Sequence, residues 1–186
     1  MLINMLLKTE QGELEALLSG IAAGDREALA RLYCRTRAAV YALALSILRN
    51  ACDAQDVTQD VFVRVWERAP QYRPQGSPMA WLLTIARNES RMKLRQAGRY
   101  VELGEGEWLA IPADASAVTP EDRQVLQGAL AALSDTERQV VLLHAAAGLK
   151  HREIAGLLEL PLATVLSKYH RALKKLRSKL EGDDTL

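Results

Sequence analysis

The polar side chains best suited to chemistry lie on the outer face of the last predicted helix, after Pro161. They carry hydroxyl, imidazole, ammonium and guanidinium groups, which can hydrogen-bond to base edges and phosphates. These residues are Thr164, Ser167, Lys168, His170, Arg171, Lys174 and Lys175. A solvated basic face is the alternative interpretation. The short helix and tight turn just before them favour a helix-turn-helix, whose second helix fits the major groove of duplex DNA.

A second group combines cations with aromatic rings on and before the helix predicted from Pro78. Positive charge follows a phosphate backbone and aromatic faces stack on unpaired bases, a combination suited to single strands. The group comprises Tyr72, Arg73, Trp81, Arg87, Asn88 and Arg91, with Lys93 and Arg95 nearby. The alternative for Trp81 is a place in the core, and both interpretations hold if one edge of its ring stays exposed.

Catalytic chemistry has little support in this sequence. His144, His151 and His170 have no metal-ligand spacing with each other or with a cysteine, and phosphate-loop and nucleophile-elbow motifs are lacking. Asp53, Asp56 and Asp60 could be taken for a metal cluster. The simpler interpretation is that Asp53 caps a helix and that the other two lie on its solvated face. Cys34 and Cys52 lack CxxC spacing, which favours idle thiols over a redox switch. We therefore expect no enzyme activity, metal or cofactor.

The elements that position the two groups are all predicted to be helices. Apolar spacings of three and four predict one helix from Gly24 and Asp25 to about Asn50. A second, capped by Asp53, should end before Pro70. Residues 71–77 should form a loop, and a third helix should then run from Pro78, with Ser77 as its cap, to about Gln96.

The second half of the chain is predicted to begin at Thr119 and Pro120 with a helix to Leu133. Ser134 and Glu137 then form a capping box for the next helix, which stops at Gly148. A short helix over 150–158, a turn at Glu159, and a helix over 161–180 complete the pattern. The apolar stripe predicted for the last helix is Val165, Tyr169, Leu173 and Leu176.

Composition agrees with an all-α fold of two small helical domains joined by a flexible linker. Of the 186 residues 49% are hydrophobic and 25% are charged, and the net charge is only +1. Basic residues gather after Thr84 and again after Lys150, with an acidic segment between them, which indicates two contacts with a polyanion. We predict an N-terminal extension or first helix over 1–24, domains over 25–98 and 120–186, and the linker over 99–119.

The N-terminus has an apolar run without a preceding basic stretch or a small-residue cleavage site, so no signal peptide is expected. The longest apolar run, 38–48, is too short for the roughly 20 residues that span a bilayer. We therefore expect a cytosolic protein without membrane insertion.

Three segments resemble a known family, in its order and spacing. DAQDVTQDVFVRVW, 53–66, resembles the polymerase-binding helix of extracytoplasmic-function (ECF) sigma factors, which belong to the sigma-70-like family. AWLLTIARN, 80–88, resembles the helix that opens the promoter. The segment LSDTERQVVLLHAAAGLKHREIAGLLELPLATVLSKYHRALKKLR, 133–177, resembles the fourth conserved domain. Together they span most of the chain.

The resemblance implies an initiation factor with no active site of its own, whose partners are core RNA polymerase, promoter DNA and an anti-sigma protein. The first domain would dock on polymerase through Asp56, Gln59, Asp60, Phe62 and Trp66. The loop from Gln71 to Met79 would capture a flipped base, and the last domain would read an upstream duplex element.

The chain departs from this family at several positions. Glu159 stands in the turn where Gly is usual, and a non-Gly residue at positive φ there is strained. Ala163 stands where the family usually has Gly, and Leu166 stands where it usually has a basic residue. The helix therefore presents one positive charge fewer, which predicts weaker or unusual recognition of duplex DNA. His144 and the pair Lys150 and His151 also replace more typical residues.

Two other functions remain open. A helix-turn-helix regulator that never joins polymerase would explain the C-terminal half, but the first half is predicted to be helical and not a receiver domain. The second is an interaction protein that kept this fold but lost promoter recognition, supported only by Glu159, Ala163 and Leu166. An enzyme ranks last.

Overall fold

The computed structural model describes residues 2–74, 76–96, 125 and 128–180, with residues 2–10 described by their backbone alone. Every regular element in these ranges is helical, as predicted. The helices are α1 Leu2–Ala22, α2 Arg26–Leu48, α3 Ala51–Arg68, α4 Pro78–Gln96, α5 Asp135–Ala145, α6 His151–Leu158 and α7 Leu162–Leu180, with a 3₁₀ turn at Ala69–Gln71.

The helix predicted from Thr119 to Leu133 falls only partly within the described ranges. Val125 and residues 128–131 are helical. Its start at Thr119 and Pro120 and the predicted linker over 99–119 lie outside the described residues.

The boundary between α2 and α3 corrects one sequence prediction. Asn50, not Asp53, caps α3, because its side chain accepts a hydrogen bond from the Asp53 amide at 2.9 Å. Arg49 ends α2 in a left-handed conformation with φ 56° and so turns the chain. That turn leaves Asn50 extended at the N-terminus of α3, where a side-chain oxygen satisfies a free amide. Asp53 lies inside the first turn.

Other predicted caps are confirmed. Ser77 accepts from the Ala80 amide at 3.4 Å before Pro78 starts α4. Ser134 and Glu137 form both bonds of a capping box, so α5 begins where the sequence predicts. Gly148, at φ 66°, follows the end of α5.

The N-terminal core lies between α2, α3 and α4. Val57, Val61 and Val65 are almost fully buried along one stripe of α3, as the periodicity predicts, and they face Val40 and Leu83. Glu89 is buried too, and its carboxylate lies 3.4 Å from Arg64. Burial of this apolar stripe fixes the orientation of α3 and α4, and therefore of the polar residues on their other faces.

The helix-turn-helix is formed by α6 and α7 and packs on α5. Val165 and Ala172 are fully buried on α7, whereas Leu173, predicted as core, is 42% exposed. Ala172 follows Val165 by two helical turns and so lies on the same face, against Leu133 and Val141. The small side chain of Ala172 lets α7 approach α5 closely. Leu173 consequently lies at the edge of this contact and not inside it. Tyr169 and Leu176 are partly buried, as predicted.

The two helical regions pack directly on each other. A single cluster of buried apolar residues continues from the N-terminal helices to Leu143, Ile154 and Val165 of the C-terminal region. At its edge, small residues of α2, including Ala39 and Ala42, face α5. An ion pair between Arg49 and Asp135 joins the same two helices, and α6 contacts α4.

Candidate nucleic-acid interface

An open groove lies where α6 approaches α4. Its volume is about 520 Å³. One wall is formed by the predicted single-strand residues Tyr72, Arg73, Trp81, Arg87 and Asn88, together with Thr84. The opposite wall belongs to the C-terminal region and includes Glu153, Gly156, Leu157 and Glu159. The structure thus brings together the predicted single-strand residues other than Arg91, on a surface that the C-terminal region partly covers.

The aromatic pair in this groove is pre-organised. The rings of Tyr72 and Trp81 meet edge to face, with centroids 5.1 Å apart. Both residues are half-buried and pack on the core, so Trp81 has a structural role and an accessible edge at once. The Tyr72 hydroxyl is buried without a hydrogen-bond partner in the described chain, and burial, followed by the charge of Glu15, raises its pKa.

Two arginines of α4, Arg87 and Arg91, lie against the carboxylate of Glu159. The Arg87 guanidinium donates to the Glu159 carboxylate at 3.0 Å, and its side chain is only 12% exposed. Arg91, at the groove edge, lies 3.9 Å from the other carboxylate oxygen. The hydrogen bond from Arg87, followed by its charge, lowers the pKa of Glu159. Glu159 has φ 57°, the left-handed conformation expected for this turn.

The polar face predicted on α7 is largely accessible. Ser167, His170, Arg171 and Lys174 are exposed, while Thr164 and Lys168 are half-buried. Arg171 donates to the Ser167 hydroxyl at 3.1 Å, so the two present one polar surface. Lys175 differs, because its ammonium lies 2.7 Å from the Glu137 carboxylate and ties α7 to α5. Among the departures, Leu166 is 38% exposed beside this face.

Two histidines, His144 of α5 and His151 of α6, form a ring cluster with Tyr169 of α7. His144 and His151 have ring centroids 4.5 Å apart, and the Tyr169 ring contacts both. His144 Nδ1 bonds to the Leu149 carbonyl, whereas His151 Nε2 is buried without a partner in the described chain. Burial, followed by the charges of His144 and His170, lowers the pKa of His151.

We therefore expect the helix-turn-helix to lose stability in mild acid. The unfolded chain takes up a proton at His151 near the ordinary pKa of 6.5, and the folded chain resists it. The stability present at neutral pH should therefore decrease as the pH falls below 6.5. Urea unfolding at about pH 7.5 and about pH 5.5 should show a smaller decrease for His151→Phe than for wild type. His170→Phe removes only the last of the named causes, so its decrease should lie between the other two, and an equal decrease in all three proteins would contradict the expectation.

The outer face of α3 carries the predicted polymerase-binding residues, with one exception. Gln59 and Asp60 are exposed, and Asp56 is held by the Lys93 ammonium at 2.8 Å. That hydrogen bond is the main cause of the raised pKa of Lys93. Trp66 is half-buried against the core.

Phe62 is only 6% exposed and packs edge to face on Tyr33, with ring centroids 4.8 Å apart. It is therefore positioned to hold α3 in place and not to form a surface. Val63 is 57% exposed and lies one turn beyond Gln59 and Asp60. Val63 was not among the predicted residues, although the sequence pattern already places this apolar side chain on an otherwise polar face of the helix.

The described part of the chain contains no group of three His, Cys, Asp or Glu side chains placed to hold a metal ion. None of its helices is long and apolar enough to cross a membrane.

Comparison with known proteins identifies both regions. Residues 32–100 match the family Sigma-70 region 2, and residues 123–176 match Sigma-70, region 4. The ECF RNA polymerase sigma factor SigK of Mycobacterium ulcerans is 36% identical over 178 residues, covering 91% of this chain and 95% of that protein. SigK of Mycobacterium bovis is 33% identical over 176 residues, covering 91% and 94%.

Two solved structures share the fold across most of the chain. CnrH, in complex with the cytosolic domain of CnrY, has a TM-score of 0.63 at 25% identity, covering 92% of this chain and 99% of that one. The sigma factor RpoE from Bartonella quintana, in complex with the anti-sigma factor NepR, has a TM-score of 0.62 at 25% identity, covering 82% and 96%.

A helical fold with a region 2 followed by a region 4 and its helix-turn-helix defines a sigma-70-like transcription initiation factor. Among these, the chain belongs to the ECF class of RNA polymerase sigma factors.

Proposed function

We propose that this protein joins core RNA polymerase in the cytoplasm, where polymerase acts, and directs it to promoters that it helps to open. The observation that carries this proposal is the groove beside α4. It contains the aromatic pair Tyr72 and Trp81 together with Arg73, Arg87 and Asn88, aromatic and polar groups of the kind that hold an unstacked single strand. Polymerase performs the reaction, so the chain needs no active site.

Three surfaces of the protein have separate roles in this proposal. The groove captures non-template bases, for which unstacking costs a few kcal/mol. The exposed polar face of α7 reads an upstream duplex element. The outer face of α3, with Gln59, Asp60 and Val63, docks on polymerase. We place the domain boundaries at 25–98 and 120–186, with 99–119 between them.

An anti-sigma protein is a further proposed partner. The supporting observation is that the sigma factor RpoE was solved with the anti-sigma factor NepR, and that its fold extends over 82% of this chain.

The first experiment mixes the purified chain with bacterial core polymerase, separates the mixture by size exclusion, and sequences transcripts made from a genomic promoter library. We expect co-elution and promoter-dependent transcripts. A folded chain that neither co-elutes nor directs transcription would refute the proposal, and duplex binding by that chain would support the stand-alone regulator.

Arg171→Ala should weaken binding to the upstream duplex by about fivefold to tenfold and lower the salt dependence by about one counterion. The reason is the exposed guanidinium beside Ser167, which can reach a base edge or a phosphate. Fluorescence anisotropy at several salt concentrations measures both effects. Lys179→Ala removes a cation in the last turn of the same helix and should change affinity by less than about twofold. If the two variants behaved alike, the assignment of this face would be wrong.

A further inference from the structure

The carboxylate of Glu159 occupies the cationic site of the single-strand groove. It accepts from Arg87 at 3.0 Å and lies 3.9 Å from Arg91, so one anionic group faces two guanidinium groups across the groove. A carboxylate and a phosphate present the same kind of charged oxygen acceptors to arginine. A DNA phosphate at Arg87 would therefore have to displace Glu159.

Packing of the two regions holds Glu159 there. Ile154 and Leu157 of α6 belong to the same buried cluster as Leu82 and Leu83 of α4. This packing places the turn that follows α6 next to the Arg87 side chain. Arg87 is therefore only 12% exposed. Glu159 itself keeps a left-handed conformation, at φ 57°, that favours glycine. A strained residue with a specific ion pair at a binding surface indicates a functional constraint.

We propose that Glu159, in the turn between α6 and α7, is a built-in competitor for DNA, whose carboxylate takes the place of a phosphate and masks the single-strand site until the C-terminal region moves away. This regulation rests on the proposed function, since it requires that the groove bind single strands. This regulation gives a role to Glu159 in a turn where glycine is usual. The same side chain limits binding by the free protein and is withdrawn when α6 separates from α4.

The test compares two carboxylates of one groove. Glu159→Gln removes the charge while keeping a non-Gly residue at the same φ. Glu153→Gln removes an equal charge from the same groove, but the Glu153 carboxylate accepts from the Lys150 amide at 2.7 Å as part of the α6 cap. Binding of a fluorescein-labelled random single-stranded oligonucleotide to the full chain is followed by anisotropy at low salt.

Glu159→Gln should bind the oligonucleotide about fivefold tighter than wild type, and Glu153→Gln should lie within about twofold. The gain should disappear in the Arg87→Ala background, because the competition acts through Arg87. Equal gains in the two Gln variants, no gain at Glu159, or a gain that survives in Arg87→Ala would each overturn the proposal.

The outcome also separates this inference from the proposed function. Wild-type binding that Arg87→Ala weakens and Glu159→Gln leaves unchanged rejects the surrogate alone. If wild type and every variant fail to bind the single strand, and the chain also fails to co-elute with polymerase, the proposed function itself is rejected.

Discussion

Phe62→Ala should lower the free energy of unfolding by about 3 to 4 kcal/mol, whereas Val63→Glu should leave it nearly unchanged and reduce polymerase binding by at least about tenfold. The two residues are adjacent on α3 but face opposite environments. Phe62 is 6% exposed and packs on Tyr33, so its truncation leaves a cavity. Val63 is 57% exposed beside Gln59 and Asp60, so a charge there alters a surface without disturbing the core.

Urea unfolding and titration with core polymerase distinguish these effects. Glu27→Lys changes an exposed charge on α2 and is the control for a general electrostatic effect, with unchanged polymerase affinity expected. If Val63→Glu folded normally and bound polymerase as wild type does, the outer face of α3 would not be the docking surface. If Phe62→Ala kept wild-type stability, its place in the core would be wrong.

Glu137→Gln should destabilise the C-terminal region by roughly 3 kcal/mol at neutral pH. Glu137 is 4% exposed, and burial alone would raise its pKa. Hydrogen bonds from Lys175 at 2.7 Å and from the Ser134 amide and hydroxyl at 2.9 Å outweigh this and lower the pKa to about 2. Gln retains the capping geometry, so the loss reports mainly the charge.

The sign of the pH dependence follows from that lowered pKa. The unfolded chain protonates Glu137 near 4.5 and the folded chain only near 2, so its stabilising contribution is complete above pH 4.5. That contribution should be lost as the pH falls through this window. Urea midpoints across the window should fall less steeply for Glu137→Gln than for wild type.

Lys175→Met should weaken the same dependence, because it removes a hydrogen bond and a positive charge from the Glu137 carboxylate. Lys174→Met alters the neighbouring exposed lysine and should retain the wild-type slope. A wild-type slope in Lys175→Met would show that this ion pair does not set the acid stability.

Local features were predictable because their causes are local. The capping box at Ser134 and Glu137 needs only four consecutive residues. The buried stripe of α3 follows from its apolar period. The positive φ at Glu159 follows from the short turn between α6 and α7. The cap of α3 was predicted wrongly, as Asp53 instead of Asn50, because the left-handed turn at Arg49 starts the helix earlier than the sequence pattern indicates.

Side-chain environments were harder to predict. Hydrophobicity ranks Leu173 above Ala172 as a core residue, yet Ala172 is buried because α7 packs closely on Val141. In α3, the resemblance implies a polymerase-binding role for Phe62, yet this residue is 6% exposed and its ring packs on Tyr33 of α2. Such choices depend on contacts between helices that are remote in sequence.

The sequence by itself determined the helices, most of their ends, the two regions of the protein and the residue types of its proposed DNA-binding surfaces, since periodicity and capping act over a few residues. Only the tertiary structure decided that the regions share one buried cluster, that Glu159 reaches Arg87, and that Lys175 is tied to Glu137. The physical reason is that these contacts join residues far apart in sequence, 72 positions for Arg87 and Glu159 and 38 for Glu137 and Lys175. Such distant contacts depend on how whole helices pack, which no short pattern of residues encodes.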